Sequence, residues 1–309
     1  MRIANVAGRL TLLAPANGAA TGAWHGVDVH RASAGLFASD PQAVFARWDE
    51  FRSWAQRVGL RAAADGDVAD GLLGPPVPSP AQVLAIGLNY RAHSAEAGLE
   101  APASPPTFTK FPSCLAGPFD PVRLPSEYVD WEVELVVAIG RRAYEVEKAD
   151  AWAHVAGLMV GQDLSERRVQ MAGPAPQFSL GKSFPGFGPV GPALVTPDEL
   201  VDPDDVALGC SVNGESMQAG RTSQMIFSVA ELITRLSATL PLLPGDLIFT
   251  GTPAGVGAAR VPPRFLRPGD RLVSYAEGIG ELRTELTGAA DPPAAVPSTA
   301  TGDAAAPPA

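Results

Sequence analysis

The sequence predicts an α+β chain that is mostly β, and two observations carry that reading. The segments VLAIG (83–87), WEVELVVAI (131–139), VAGLMVG (155–161), VALGCSVN (206–213), DLIFT (246–250), RLVSYA (271–276) and ELRTEL (281–286) are short, apolar and bounded by turn residues, as strands are. Helical patterns do not alternate regularly with them, which argues against a doubly wound parallel sheet.

Taken in order, residues 1 to about 75 read as a small N-terminal domain. Val6, Leu10 and Leu12 alternate with polar positions, which suits early strands better than a signal peptide, and Arg9 interrupts the apolar run. Asp40-Pro41 then supplies an N-cap and a proline at the first helical position. The segment after it places Val44, Phe45, Trp48, Phe51, Trp54 and Val58 on one helical stripe, an expected core face. GPPVPSPAQ (74–82) is a proline-rich boundary, and residues 76–288 form the expected catalytic domain. Asn213-Gly214 marks a two-residue hairpin, and Ser228 with Glu231 marks a capping box opening a helix. Residues 289–309 lack large apolar side chains and are expected to be a disordered tail.

Composition narrows the function classes. The 309 residues are 46% hydrophobic and 18% charged, a globular balance, and the net charge is −10. That charge argues against a nucleic-acid partner or an anionic membrane surface, since both need basic patches. No apolar run approaches the ~20 residues that span a bilayer. Two cysteines, Cys114 and Cys210, give neither a disulfide framework nor a Cys-rich zinc site, so the expected setting is cytoplasmic. GFGPVG (186–191) and LGKS resemble phosphate loops, but the first holds a proline and no helix follows it. The second has Pro176 where the loop needs its first glycine.

DWEVEL (130–135) places Asp130, Glu132 and Glu134 on one strand face, with Trp131, Val133, Leu135 and Val137 on the other. Such an acid row suits a solvent-facing edge, or a hard divalent cation that Glu132 and Glu134 reach together. His93 and Glu96 in GLNYRAHSAE are three apart, neighbours on one helical turn, where a carboxylate would orient an imidazole as a general base. Asp163 in VGQDLSERRVQ adds an oxygen ligand, and Lys182 in GKSFPGFGPVGP adds a cation for a substrate carboxylate or enolate. The small residues of TGTPAGVG (250–257) would let backbone amides approach a ligand.

In this order, those motifs, with VNGE, PGDLIFTGTPAGVG and PGD…EGIGELRTEL, resemble the fumarylacetoacetate hydrolase family over roughly residues 80 to 287. The resemblance implies a mixed, rolled β-sheet domain behind a small leading domain, usually paired as a homodimer. It implies Mg²⁺ or Mn²⁺ held by Glu132, Glu134 and Asp163, with Asp130 a neighbour and not a ligand. His93 and Glu96 match the pair that activates water or moves a proton, and Lys182 the lysine facing substrate. Tyr90, Gln170 and Thr252 fall at substrate-binding positions, and Arg167 supports the site. Two departures stand out: Gln162 replaces the usual asparagine, and Pro185 replaces an aspartate common three residues after the lysine, which leaves the orientation of Lys182 open.

The expected activity is metal-dependent hydrolysis of a C–C bond in a β-diketo acid of the acylpyruvate or fumarylacetoacetate kind, a small-molecule 2-oxo acid. The same site would also serve an isomerase of unsaturated 2-oxo or 2-hydroxy dioic acids, or an oxaloacetate decarboxylase. A metal-stabilised binding protein without turnover is a fourth reading, disfavoured because His93 and Glu96 accompany the three acids.

Overall fold

The computed structural model describes residues 1–15, 24–58 and 66–288; the expected tail lies outside them. Among the described residues there are three open sheets, two of them mixed and the third an antiparallel pair. The largest runs, in spatial order, through Gly66–Asp67, Trp24–Asp28, Arg9–Pro15, Arg2–Val6, Gly188–Val195, Val155–Gln162, Val133–Ile139, Leu247–Phe249, Val83–Ile86 and Thr107–Thr109, with two short strands attached beside it. A five-stranded sheet orders Glu215–Arg221, Ala207–Val212, Arg271–Ala276, Gly280–Thr287 and Val122–Arg123. The fold is thus α+β and mostly sheet, as the strand-rich texture predicts.

The first strands join the large sheet directly. Arg2 pairs with Val195 and Ile3 with Leu194, so the leading segment extends the sheet that carries the acids. Of its predicted stripe, Val44, Phe45, Trp48 and Phe51 are buried, while Trp54 and Val58 are half-buried. The helix itself departs from expectation: a 3₁₀ segment Gln42–Arg47 precedes an α-helix Trp48–Ala55. Asp40 still caps the start, accepting the Gln42 amide at 2.9 Å. At the break, Arg47 turns away to bond Leu36 O at 2.7 Å and the Glu50 carboxylate, and Phe45 stacks on Trp48 with 12° between ring planes.

The strand Val133–Ile139 is buried along its whole length because both faces of the sheet are covered. Trp131, Val133, Leu135 and Val137 join a core with Leu208, Leu272 and Leu282 of the second sheet. Val136 and Ala138 face the other way, against Trp48, Phe51 and Phe249. Asn213 and Gly214, both at positive φ, make the predicted hairpin turn between Val212 and Glu215. Ser228 caps the helix Val229–Ser237 by accepting the Glu231 amide at 3.3 Å. The reciprocal half of the box is replaced, since the Glu231 carboxylate takes Arg235 instead.

A buried carboxylate cluster as candidate metal centre

The acid row does not form as one strand face. Val129–Asp130 pairs with Ser165–Glu166 in a separate two-stranded ribbon, and the long strand begins only at Val133. Asp130 is therefore turned out of the row. Its carboxylate accepts the Arg167 guanidinium at 2.7 Å and the amides of Trp131, Gly257 and Ala258. Glu132 and Glu134 stay together, and Asp163 joins them because its amide donates to Glu132 O at 2.9 Å. The three carboxylates are buried, and one oxygen from each lies within 4.8 Å of the others.

Their partners are unequal. Glu132 accepts Arg167 at 2.7 Å through Oε1 and Lys182 at 2.8 Å through Oε2. Despite burial, the Lys182 and Arg167 charges hold its carboxyl down at about 2. Asp163 accepts Lys110 at 2.7 Å and Lys182 at 2.6 Å. Among the described residues, Glu134 accepts a hydrogen bond only from the Gly251 amide, at 2.8 Å. Burial, with Asp163 and Glu132 nearby, pushes its carboxyl well above the usual carboxylate range.

A hard divalent ion fits this arrangement. The donor set is all oxygen, the ligand atoms converge, and one buried carboxylate lacks a cation. Counting Asp130 and Glu96, five carboxylates face the three cations Lys110, Arg167 and Lys182, and the two remaining negative charges are what one such ion would neutralise.

His93 lies on the short helix Arg91–Glu96, and its Nδ1 meets Glu96 Oε1 at 2.7 Å. The other Glu96 oxygen accepts the Gly255 amide at 2.8 Å. The ring is thus oriented through Nδ1, leaving Nε2 for the cavity that His93 lines. That cavity, of about 440 Å³, is also lined by Glu96, Glu132, Arg167, Gln170, Lys182 and Thr252, with an apolar wall that includes Phe108 and Phe178. Glu134, Asp163 and Tyr90 are not among its lining residues. Tyr90 is buried with no hydrogen-bond partner for its hydroxyl, and burial, helped by the Glu134 charge, raises its pKa.

Lys182 follows the short helix Phe178–Gly181. A side chain at Gly181 would lie 2.5 Å from the Gln170 amide, so glycine lets two short helices bring Lys182 and Gln170 to one wall. Lys182 is buried, with its ammonium on Glu132, Asp163 and Ser165 Oγ. Burial opposes its charge, but Asp163 and Glu132 win and hold its pKa above the ordinary value. Pro185 is exposed, and three oxygens orient the lysine without a carboxylate at that position.

The glycine-rich turn after Phe249 serves a different purpose from the predicted one. Its amides go to the protein's own acids: Gly251 to Glu134, Gly255 to Glu96, and Gly257 and Ala258 to Asp130. Gly251 adopts φ +99°, and a Cβ there would lie 2.6 Å from the Asn89 side chain. Sequence reasoning missed Lys110, which is 1% exposed and bonds Asp163, Phe187 O and Lys182 O. Nothing in its flanking TFTKFPS marks it as buried.

Fold and site together define a class: α+β enzymes that gather buried carboxylates and an oriented histidine around one cavity. The profile described as fumarylacetoacetate (FAA) hydrolase C-terminal matches residues 82–287, and the chain belongs to that family. Among relatives, it is 47% identical over 209 residues to the mitochondrial oxaloacetate tautomerase FAHD2A of Bos taurus, covering 67% of each chain. A solved structure of a candidate HpcE protein from Mycobacterium smegmatis is 50% identical with a TM-score of 0.86, covering 94% of this chain and 100% of that one. The fumarylpyruvate hydrolase of Pseudomonas aeruginosa, solved with Mn²⁺ and pyruvate, is 31% identical with a TM-score of 0.61, covering 67% and 90%. No helix among the described residues is long and apolar enough to cross a membrane.

Proposed function

We propose that this chain is a divalent-metal-dependent enzyme that moves a proton beside the carbonyl of a short 2-oxo acid, a keto–enol tautomerase of the oxaloacetate kind. The observation that carries the reading is the His93–Glu96 pair, set on a cavity wall shared with Glu132 and Lys182. Support for tautomerisation over other outcomes comes from the 47% identity over 209 residues to a relative named for it.

Glu132, Glu134 and Asp163 would hold Mg²⁺ or Mn²⁺, which when bound supplies a Lewis acid for the oxygens of a 2-oxo acid. Nε2 of His93 takes the proton from the carbon next to the carbonyl and returns it to the carbonyl oxygen, so one group makes both transfers. Glu96 keeps the other ring proton on Nδ1 and stabilises the imidazolium between them. Its own position is fixed by the Gly255 amide. Lys182 sets positive charge beside the developing oxyanion, and Arg167 holds Glu132 in place. Gln170, which lines the cavity, is assigned to substrate on the same reading, and Tyr90, which does not line it, is not. A base of this kind is worth about 10²–10⁴-fold in rate.

A second reading is C–C hydrolysis of an acylpyruvate, with His93 delivering water to the second carbonyl. The likeness to a hydrolase solved with Mn²⁺ and pyruvate favours it. Enol-oxaloacetate, an acylpyruvate, fumarylpyruvate and a dioic isomerase substrate, each assayed with Mn²⁺ and after chelation, separate the outcomes by their products. Oxaloacetate interconversion fastest, and lost on chelation, is the expected result; pyruvate released from an acylpyruvate together with the free acid of its acyl group assigns hydrolysis instead. Carbon dioxide release would assign decarboxylation. Turnover that survives chelation removes the ion from the reaction. On the same reading, residues 76–288 are the catalytic domain, 1–75 a small N-terminal domain, and the enzyme works as a cytoplasmic homodimer.

A further inference from the structure

The two peptide units that join the clustered glutamates through Val133 are held from outside their own strand. Val133 sits between Glu132 and Glu134 and points its polar backbone groups to the same edge as Leu135, two residues on. At that edge Leu135 O accepts the Thr250 amide at 3.1 Å, but strand pairing with Leu247–Phe249 starts only at Val136. Val133 is therefore past the end of the ladder. Two side chains take the place of the absent strand. The Val133 amide donates to Gln218 Oε1 at 2.9 Å, and the Val133 carbonyl accepts the Thr252 hydroxyl at 2.9 Å.

These two side chains also hold each other. Gln218 Nε2 donates to Thr252 Oγ1 at 2.7 Å and to Pro253 O at 2.7 Å. The chemistry fixes which way the amide points. A flipped Gln218 would set its NH₂ against the Val133 N–H and its oxygen against the Pro253 carbonyl. With Nε2 donating to it, the Thr252 hydroxyl spends its single proton on Val133 O. Thr252 lines the cavity, yet it has no proton left to offer there. Gln218 is 2% exposed and Thr252 1%, so neither can exchange these partners for water.

We propose that Gln218 and Thr252 are positioning residues for the ion. They act through the Val133 peptide to fix the angle between the Glu132 and Glu134 carboxylates, and the Thr252 hydroxyl does not bind substrate. The proposal rests on reading the three acids as a metal centre. If the backbone at Val133 shifts, both glutamates move with it, because the Val133 N–H lies in the peptide shared with Glu132 and the Val133 C=O in the peptide shared with Glu134. Groups that orient metal ligands from outside the coordination sphere typically change affinity about 10–100-fold.

The test is Mn²⁺ titration of the chelator-stripped full chain, read calorimetrically, with melting temperatures and with KM measured at saturating Mn²⁺. Thr252→Val keeps the shape and removes the hydroxyl, and it should weaken Mn²⁺ binding about tenfold or more while KM stays within about twofold. Thr252→Ser restores the hydroxyl and should bind Mn²⁺ within about twofold of wild type. Gln218→Leu should weaken binding similarly, and the double variant should lose little beyond the worse single one. If Gln218→Leu does not fold, the threonine pair decides alone. Unchanged Mn²⁺ affinity in Thr252→Val with a tenfold rise in KM overturns the proposal and gives the hydroxyl to substrate. Unchanged values of both also overturn it. Wild-type chain that binds no Mn²⁺ removes the metal centre and the clamp with it, an outcome distinct from wild type and variants binding equally well.

Discussion

One face of one strand meets two environments. Near its start, Glu134 is buried beside Glu132 and Asp163, among lysine and arginine side chains. Further along the same face, Val136 and Ala138 belong to the buried apolar cluster that also holds Trp48 and Phe51. Burial alone does not distinguish the two ends. The aromatic end is held by apolar area, which has no direction and tolerates the irregular 3₁₀-to-α start of its helix. The acid end is held by hydrogen bonds and charges, whose strength depends on which atom faces which. That is why the charged end recruits named atoms from six separate segments, whereas the aromatic end needs only shape. Stability should therefore be concentrated at one end and chemistry at the other.

The largest expected effect lies at the chemical end. His93→Ala should lower kcat about 10²–10⁴-fold while leaving Mn²⁺ affinity and melting temperature near wild type. A matching loss of metal binding in a calorimetric titration would merge base and metal site into one unit. At the aromatic end, Phe51→Ala should cost about 3–5 kcal/mol in denaturant unfolding, with kcat of the remaining folded enzyme nearly unchanged. A kcat loss as large as that of His93→Ala would mean the two ends are not separable.

Smaller effects sharpen the contrast. Glu134→Gln replaces a carboxyl whose charged form is opposed by burial and by two like charges, and which pairs with no cation among the described residues. In chelator its melting temperature should rise by about 2 °C, while Mn²⁺ affinity falls at least tenfold. A lower melting temperature without metal would show that the charged form already has a partner. Smallest of all, Arg141→Ala breaks an exposed pair with Asp49, 44% and 57% accessible, and should change stability by less than about 0.5 kcal/mol.

Much of the site was legible in the chain because its first contacts are local. His93 and Glu96 are three residues apart on one turn, so their pairing at 2.7 Å follows from helix geometry. Glu132 and Glu134 alternate with apolar residues, and that spacing sends both toward the same place even though the strand starts one residue after the first of them. The same reasoning misplaced Asp130, since it assumed the strand was continuous through Trp131. The ribbon with Ser165–Glu166 that redirects Asp130 joins segments more than thirty residues apart, and nothing in DWEVEL announces it. Lys110 left no trace for a related reason: a buried lysine is specified by the carboxylate it meets, and that carboxylate is 53 residues away.

By itself, the sequence determined the strand-rich class, the shared side of Glu132 and Glu134, the aromatic stripe and the histidine–glutamate pair. Each depends on a period of two or on one helical turn, which neighbouring residues set among themselves. The tertiary structure decided which acids share a cluster, that the glycine turn's amides serve the protein's own carboxylates, and that Gln218 and Thr252 finish a ladder its strand partner leaves short. Those are matches between polar groups 85 and 119 residues apart, and such a match exists only once the chain has brought both partners out of water.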